Sequence, residues 1–219
     1  MDESDMDERT TRRQWLLAAV GAFGLMGLPA SWRALAAELL RTPAQTEGPF
    51  YPLSRPAGLD NDLVHIAGRS GIAAGELTVV GGKVVDTTGR PLSGVLVEIW
   101  QANAHGRYQD SRDHSAQPLD PNYKGYGTCL TDAEGAYTFQ TIKPVPYPGR
   151  APHIHFALTS PVLPRLVTQM YVDGAKENGR DFVLRSLDAA ERKRVIVALE
   201  KATADSWRAK FDIVVDRRA

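Results

Sequence analysis

Along most of the chain beyond residue 76, apolar and polar positions alternate in short stretches set between turn residues. In Gly94–Gln101, Val95, Val97 and Ile99 fall on one side and Leu96, Glu98 and Trp100 on the other, the period of a strand. Leu77–Val85 is β-branched around a Gly81-Gly82 interruption, and Asp86–Pro91 reads as a turn. Leu130–Phe139 reads as strand, Asp-x-x-Gly turn, strand, and His153–Leu158, Leu166–Val172 and Phe211–Val215 as further strands. Ser186–Ala202 is the one helical pattern. Ser186 is its expected cap, Asp188 and Glu191 lie early, and Val195, Ile196 and Leu199 share a face. Many short strands with one helix near the C-terminus predict an all-β fold, an antiparallel β-sandwich with long loops.

Two segments resist this reading. Residues 41–62 are rich in Pro, Gly and Asn and predict an ordered, irregular arm. Residues 102–127 form a long polar connection, and a loop of that length inside a compact domain is usually functional.

The N-terminus has a different character. Arg12-Arg13, the apolar run from Trp15 and the Ala34-Leu35-Ala36 site have the layout of a signal peptide of the twin-arginine type, spanning 1–36. The run from Gln14 to Ala30 is too short and glycine-rich for a stable membrane anchor. The expectation is export, to the periplasm, of a single domain covering 37–219. Without the leader the net charge is near +1, so composition points away from nucleic acid. The lone Cys129 excludes an internal disulfide and a thiolate metal cluster.

The candidate chemistry begins at His153-Ile154-His155. Residues two apart on a strand share a face, so both imidazoles point one way and can hold a first-row metal. No Asp or Glu lies within ten residues of the pair. A 2-His-1-carboxylate site would want one nearby. Tyrosines lie close instead: Tyr147 between Pro146 and Pro148, and Tyr108 after His105-Gly106-Arg107. Phenolate is a hard anionic ligand suited to a trivalent ion, which lowers a phenol's pKa far below its free value near 10. His105 and His114, in the polar loop, read as solvated.

The segments TEGPFYP (46–52), GVLVEIWQANAHGRY (94–108), LTDAEGAYTFQTIKPVPYP (130–148), RAPHIHF (150–156) and RLVTQMYVDG (165–174) resemble the intradiol ring-cleavage dioxygenases, especially the protocatechuate 3,4-dioxygenase branch. The resemblance implies a non-haem Fe(III) bound by Tyr108, Tyr147, His153 and His155. It implies Arg150 as the group that stabilises charge on a bound catecholate, with Gln169 beside it. Tyr147 matches the tyrosinate that leaves the metal and takes a substrate proton, while Tyr108 stays. The implied reaction cleaves a small aromatic diol with O2, between its hydroxyl-bearing carbons, to a muconate-type diacid. A homo-oligomer stays open. One departure stands out: only Pro148 and Gly149 separate Tyr147 from Arg150, fewer residues than in the aromatic-acid-cleaving members. That concerns the wall of the substrate pocket more than the metal. Residues 77–140 also look like transthyretin-like and carboxypeptidase-regulatory β-sandwich modules, and the sandwich expected for the chain is of the immunoglobulin/transthyretin-like kind. A non-catalytic binding module is therefore the alternative, but it gives Tyr147, Arg150, His153, His155 and Gln169 nothing to do.

Overall fold

A computed structural model describes residues 38–217. The expected leader, 1–36, lies outside them. Two five-stranded sheets form the body. The first is built on β1 (Leu77–Asp86), which pairs antiparallel with β4 (Ala136–Ile142). On its other side it pairs, in parallel, with β9 (Ser206–Lys210) and then β10 (Ile213–Val215), and β8 (Leu199–Thr203) completes the sheet beyond β9. The second sheet has the order β3 (Tyr126–Leu130), β2 (Leu96–Trp100), β5 (His153–Ser160), β6 (Leu163–Val172), β7 (Ile196–Val197).

The alternation decides what each sheet buries. Val97 and Ile99 of β2 and Ile154, Phe156 and Leu158 of β5 enter one cluster with Val80 and Val84 of β1 and Phe139 of β4. Burying a side chain of this kind contributes about 1.5–3 kcal/mol, so this shared layer is the main reason the two sheets stay together. The opposite face of the second sheet is free for other work, and His153, His155 and Trp100 lie on it.

The β-sandwich expectation holds, with three amendments. The sheets are mixed, because β1–β9, β1–β10 and β6–β7 are parallel pairs. The Gly81-Gly82 interruption does not end β1. It is where the chain joining β9 to β10 crosses: Phe211 N–H donates to Gly81 O at 2.8 Å, and a Cβ on Gly82 would lie 2.0 Å from Phe211 O. The helix is the largest correction. Instead of Ser186–Ala202, α1 (Phe182–Arg185) is followed by α2 (Ala189–Val195). Asp188, not Ser186, caps α2 in a capping box with Glu191. The reason lies at Val195-Ile196-Val197. β-Branched residues favour strands, and here an open edge is available, where Ile196 and Val197 pair with Tyr171 and Val172. Leu199–Thr203 then forms a hairpin with β9, so tertiary pairing overrides a helical spacing. Among the described residues no helix is long and apolar enough to cross a membrane.

Candidate metal centre and active site

Strand register builds the site. On the outer face of the second sheet, His155 stands opposite Trp100 on β2 and Gln169 on β6, and His153 stands opposite Tyr171. Both histidines are buried. The Trp100 ring stacks on the His155 imidazole, centroids 4.7 Å apart and planes 8° from parallel. His153 is fixed through Nδ1, which lies 2.6 Å from Ala151 O. A carbonyl only accepts, so Nδ1 carries the proton and Nε2 presents a lone pair.

Two loops bring the phenols. The Asn103 side chain accepts from the His105 and Arg107 backbone N–H groups, and Asp113 accepts from the Tyr108 N–H, which folds the polar loop back and buries Tyr108. Phe50, from the 41–62 arm, stacks on the Tyr108 ring at 4.6 Å. Tyr147 begins a tight turn: the Arg150 N–H donates to Tyr147 O at 2.9 Å, with Gly149 at φ +81°. Pro148 and Gly149 at the central positions are the residues a type II turn prefers. The short spacing therefore turns Arg150 straight back onto Tyr147.

The four expected ligand residues meet. His153 Nε2 lies 3.2 Å from His155 Nε2, 3.5 Å from the Tyr108 hydroxyl and 3.4 Å from the Tyr147 hydroxyl. His155 Nε2 lies 3.0 Å from the Tyr108 hydroxyl. Metal–nitrogen bonds to first-row ions run about 2.0–2.1 Å, so neighbouring donors in one coordination shell lie roughly 3.0–3.4 Å apart. The observed spacings match a shared shell. Charge agrees. Burial, reinforced by Arg150, lowers His153 to about 4. Burial, then His153 and Arg150, holds His155 well below its ordinary value. Both imidazoles are thus neutral donors at pH 7. Burial raises both Tyr108 and Tyr147, against the pull of Arg150, so in the bare protein both phenols keep their protons. Among the described residues no three His, Cys, Asp or Glu side chains gather to hold an ion, which leaves the tyrosines as the anionic partners. The donor set fits a trivalent cation.

Arg150 and Gln169 also come together. Arg150 Nη2 donates to Gln169 Oε1, and Nη1 lies 3.4 Å from the Tyr147 hydroxyl. Gln169 Nε2 donates to Thr46 O, and its backbone N–H to Gln45 Oε1, which fastens the arm to β6. His105 and His114 are exposed and make no part of the cluster.

Several neighbours escaped the sequence reading. Asp181 binds Arg150, the Tyr171 hydroxyl donates to Gln169 Oε1 and itself accepts from Gln45 Nε2, and Phe50 and Trp100 pack on the Tyr108 and His155 rings. Glu98 is buried on the same face, where Tyr51 and Tyr126 donate to its Oε1 at 2.9 and 2.6 Å. The alternation of GVLVEIWQ already put Glu98 and Trp100 on one side, and that was the available signal. Asp181 offered none.

The dioxygenase family model matches residues 46–217. The chain is 42% identical over 181 residues to the protocatechuate 3,4-dioxygenase beta chain of Burkholderia cepacia, covering 78% of this chain and 77% of that one. The chain belongs to the intradiol ring-cleavage dioxygenase family. Among this dioxygenase's other relatives, a catechol 1,2-dioxygenase of Candida albicans is 30% identical, and the match spans 70% of this chain but only 53% of that one. The dioxygenase domain of a carbohydrate-binding fusion protein from Streptomyces sp. SirexAA-E superposes with a TM-score of 0.64 at 30% identity, over 80% of this chain and 98% of that domain. The match from residue 46 onward takes in the arm, the polar loop and the Pro-flanked turn as well as the sheets. A non-catalytic module is therefore not the better description of this dioxygenase.

Proposed function

We propose that this enzyme holds a non-haem Fe(III) on Tyr108, Tyr147, His153 and His155 and uses O2 to open a catechol-type ring between its two hydroxyl-bearing carbons. The product is a muconate-type diacid carrying both oxygen atoms of O2. What supports this reading is the convergence of two neutral imidazoles, the buried Tyr108 and the partly buried Tyr147 through four donor–donor approaches of 3.0–3.5 Å. When bound, the ferric ion would supply Lewis acidity and redox access, drawing electron density from the diol so that O2 can attack the ring.

The chain's own groups do the rest. Tyr147 Oη is the proton acceptor for one substrate hydroxyl, because it sits on a short turn that can move apart from the strands carrying the histidines. Arg150 Nη1 faces that oxygen and stabilises negative charge there and on the diol. Gln169 fixes the guanidinium plane. Phe50 and Trp100 wall the ligand rings and keep water off them.

The test is a visible spectrum of the iron-loaded chain with oxygen uptake alongside. A tyrosinate-to-iron charge-transfer band should be present at rest and should shift when catechol or protocatechuate is added without O2. Readmitting O2 should consume one O2 per ring opened. A colourless iron-loaded protein, or one that takes up no O2 with either diol, would remove this reading.

We further propose that the enzyme is exported folded and metal-loaded through its Arg12-Arg13 leader, to the periplasm. Arg12→Lys combined with Arg13→Lys should leave active, iron-containing enzyme in the cytoplasm. Normal periplasmic accumulation of the double variant would show that the arginine pair does not direct export.

A further inference from the structure

Arg150 spends its donors in a fixed way. Nε donates to Asp181 Oδ2 at 2.8 Å. Nη2 donates to Gln169 Oε1 and lies 3.4 Å from the Tyr171 hydroxyl. Nη1 has one partner among the described residues, the Tyr147 hydroxyl. The guanidinium is therefore held on two sides and offers its third to the metal centre.

Asp181 is unusual in its own surroundings. Its side chain is fully buried, and that of Arg150 is 9% exposed. Oδ2 also accepts the Ala151 N–H at 2.8 Å, and Oδ1 accepts the Leu184 N–H at 2.8 Å as the N-cap of α1. A buried carboxylate is tolerated only when it is paired and hydrogen-bonded, and here all of its partners are supplied. One of them, Ala151, is the residue whose carbonyl orients His153. Beneath lies a small apolar cluster of Ala151, Tyr171, Leu184, Leu187 and Val195, which seats α1 and α2 against the end of β5. The exposed Phe182 ring, next in sequence, lies 5.5 Å from the guanidinium carbon.

We propose that Asp181 is a positioning residue for ring cleavage, acting through Arg150. It anchors Nε, compensates the buried charge, and leaves Nη1 as the single directed donor toward Tyr147 and the diol. The inference rests on the ring-cleavage reading and adds to it a residue supplied by the α1 cap, 31 positions from the arginine it serves. Because the Tyr147–Arg150 turn is so short, backbone placement alone would leave the long arginine side chain free to point elsewhere. The carboxylate removes that freedom.

The experiment is a double-mutant cycle on iron-loaded enzyme with Asp181→Asn, Arg150→Gln and the pair. It reads kcat and KM for catechol, the affinity for 4-nitrocatechol titrated without O2, and Tm. Asp181→Asn should lower kcat/KM by about a hundredfold, the cost of a misplaced catalytic group, and weaken 4-nitrocatechol. In the Arg150→Gln background the same change should cost little more, since its target is gone. The double variant should melt above Asp181→Asn, because no buried charge is left unpaired. Should Asp181→Asn fail to fold, Asp181→Ser keeps a capping oxygen for the Leu184 N–H and goes through the same cycle. Wild-type kcat/KM in the Asp181 variants, or a loss that simply adds to that of Arg150→Gln, overturns this inference alone. A wild-type chain that neither binds 4-nitrocatechol nor takes up O2 with catechol overturns the ring-cleavage reading with it.

Discussion

Alanine at His155 is expected to leave a folded protein with almost no iron and no visible colour. In the proposed centre His155 would supply one of four donors, and no other imidazole is placed to replace it, since His65, His105 and His114 are exposed on the described surface. Outer-shell partners of metal ligands are already worth about 10–100-fold in affinity, so losing a ligand itself should cost more than a hundredfold. The fold should survive. The His155 ring is buried, its Nδ1 has no hydrogen-bond partner, and its Nε2 faces a second imidazole at 3.2 Å. Removing it takes away packing against Trp100 and the 3.0 Å contact with the Tyr108 hydroxyl, a modest loss that the two-sheet core should withstand. Iron per chain by elemental analysis and Tm of the metal-free form measure the two halves of this expectation separately. Full iron and full colour in His155→Ala would show that this residue is not a ligand. His153→Ala should lose iron as completely, and it also strands the Ala151 carbonyl that now accepts from Nδ1.

The sequence carried the parts of this site that obey a short rule. Period two placed His153 and His155 on one face and Ile154 and Phe156 in the core, and both placements hold. The short Tyr147–Arg150 spacing was legible too, and the structure makes it a tight turn over Pro148-Gly149. The phenols are another matter. Nothing in the spacing of Tyr108 or Tyr147 dictates that two loops so far apart in the chain reach the same point; phenolate chemistry makes them candidates, and only the resemblance makes them a ligand pair. Asp181 lies further beyond reach. Its partner Arg150 is on the other side of two strands, and the contact exists only because β5 and β6 pair and α1 folds back over their end. The helix error has the same origin. Val195, Ile196 and Leu199 have a helical spacing, but Ile196 pairs with β6 and Leu199 begins a β8–β9 hairpin that joins β1, a strand distant in sequence. Local pattern fixes faces and turns, whereas long-range pairing decides what faces what.

Phenylalanine at Tyr147 is expected to keep iron and the capacity to bind a catechol while slowing turnover by about 10²–10⁴-fold, the usual worth of a positioned acid–base group. Tyr108→Phe should instead damage iron binding itself. The two phenols are held differently. Tyr108 is buried, clamped through its backbone by Asp113, stacked by Phe50, and within 3.0 and 3.5 Å of both histidine nitrogens. Tyr147 is only partly buried, lies near one histidine nitrogen, and sits at the head of a four-residue turn with Arg150 Nη1 beside its hydroxyl. When a diol brings two oxygens to the centre, Tyr147 is the ligand that can leave without disturbing a strand. Burial raises its pKa while Arg150 holds it down, so a released phenolate takes up a proton readily near neutral pH. Proton bookkeeping gives a further handle. Burial keeps both histidines neutral near pH 7, whereas both phenols are protonated without the ion. Ligation by both would release two protons per iron. Near neutral pH, iron affinity should therefore weaken as pH falls chiefly through the tyrosines, and each Phe variant should release one proton fewer. The measurements are proton release during iron loading, the visible spectrum with and without catechol in the absence of O2, and O2 uptake. On adding catechol, the wild-type spectrum should lose one tyrosinate contribution and converge on that of Tyr147→Phe bound to catechol. If Tyr147→Phe turns over at the wild-type rate with its iron in place, the substrate proton goes elsewhere, and Tyr147 is a ligand without being the base.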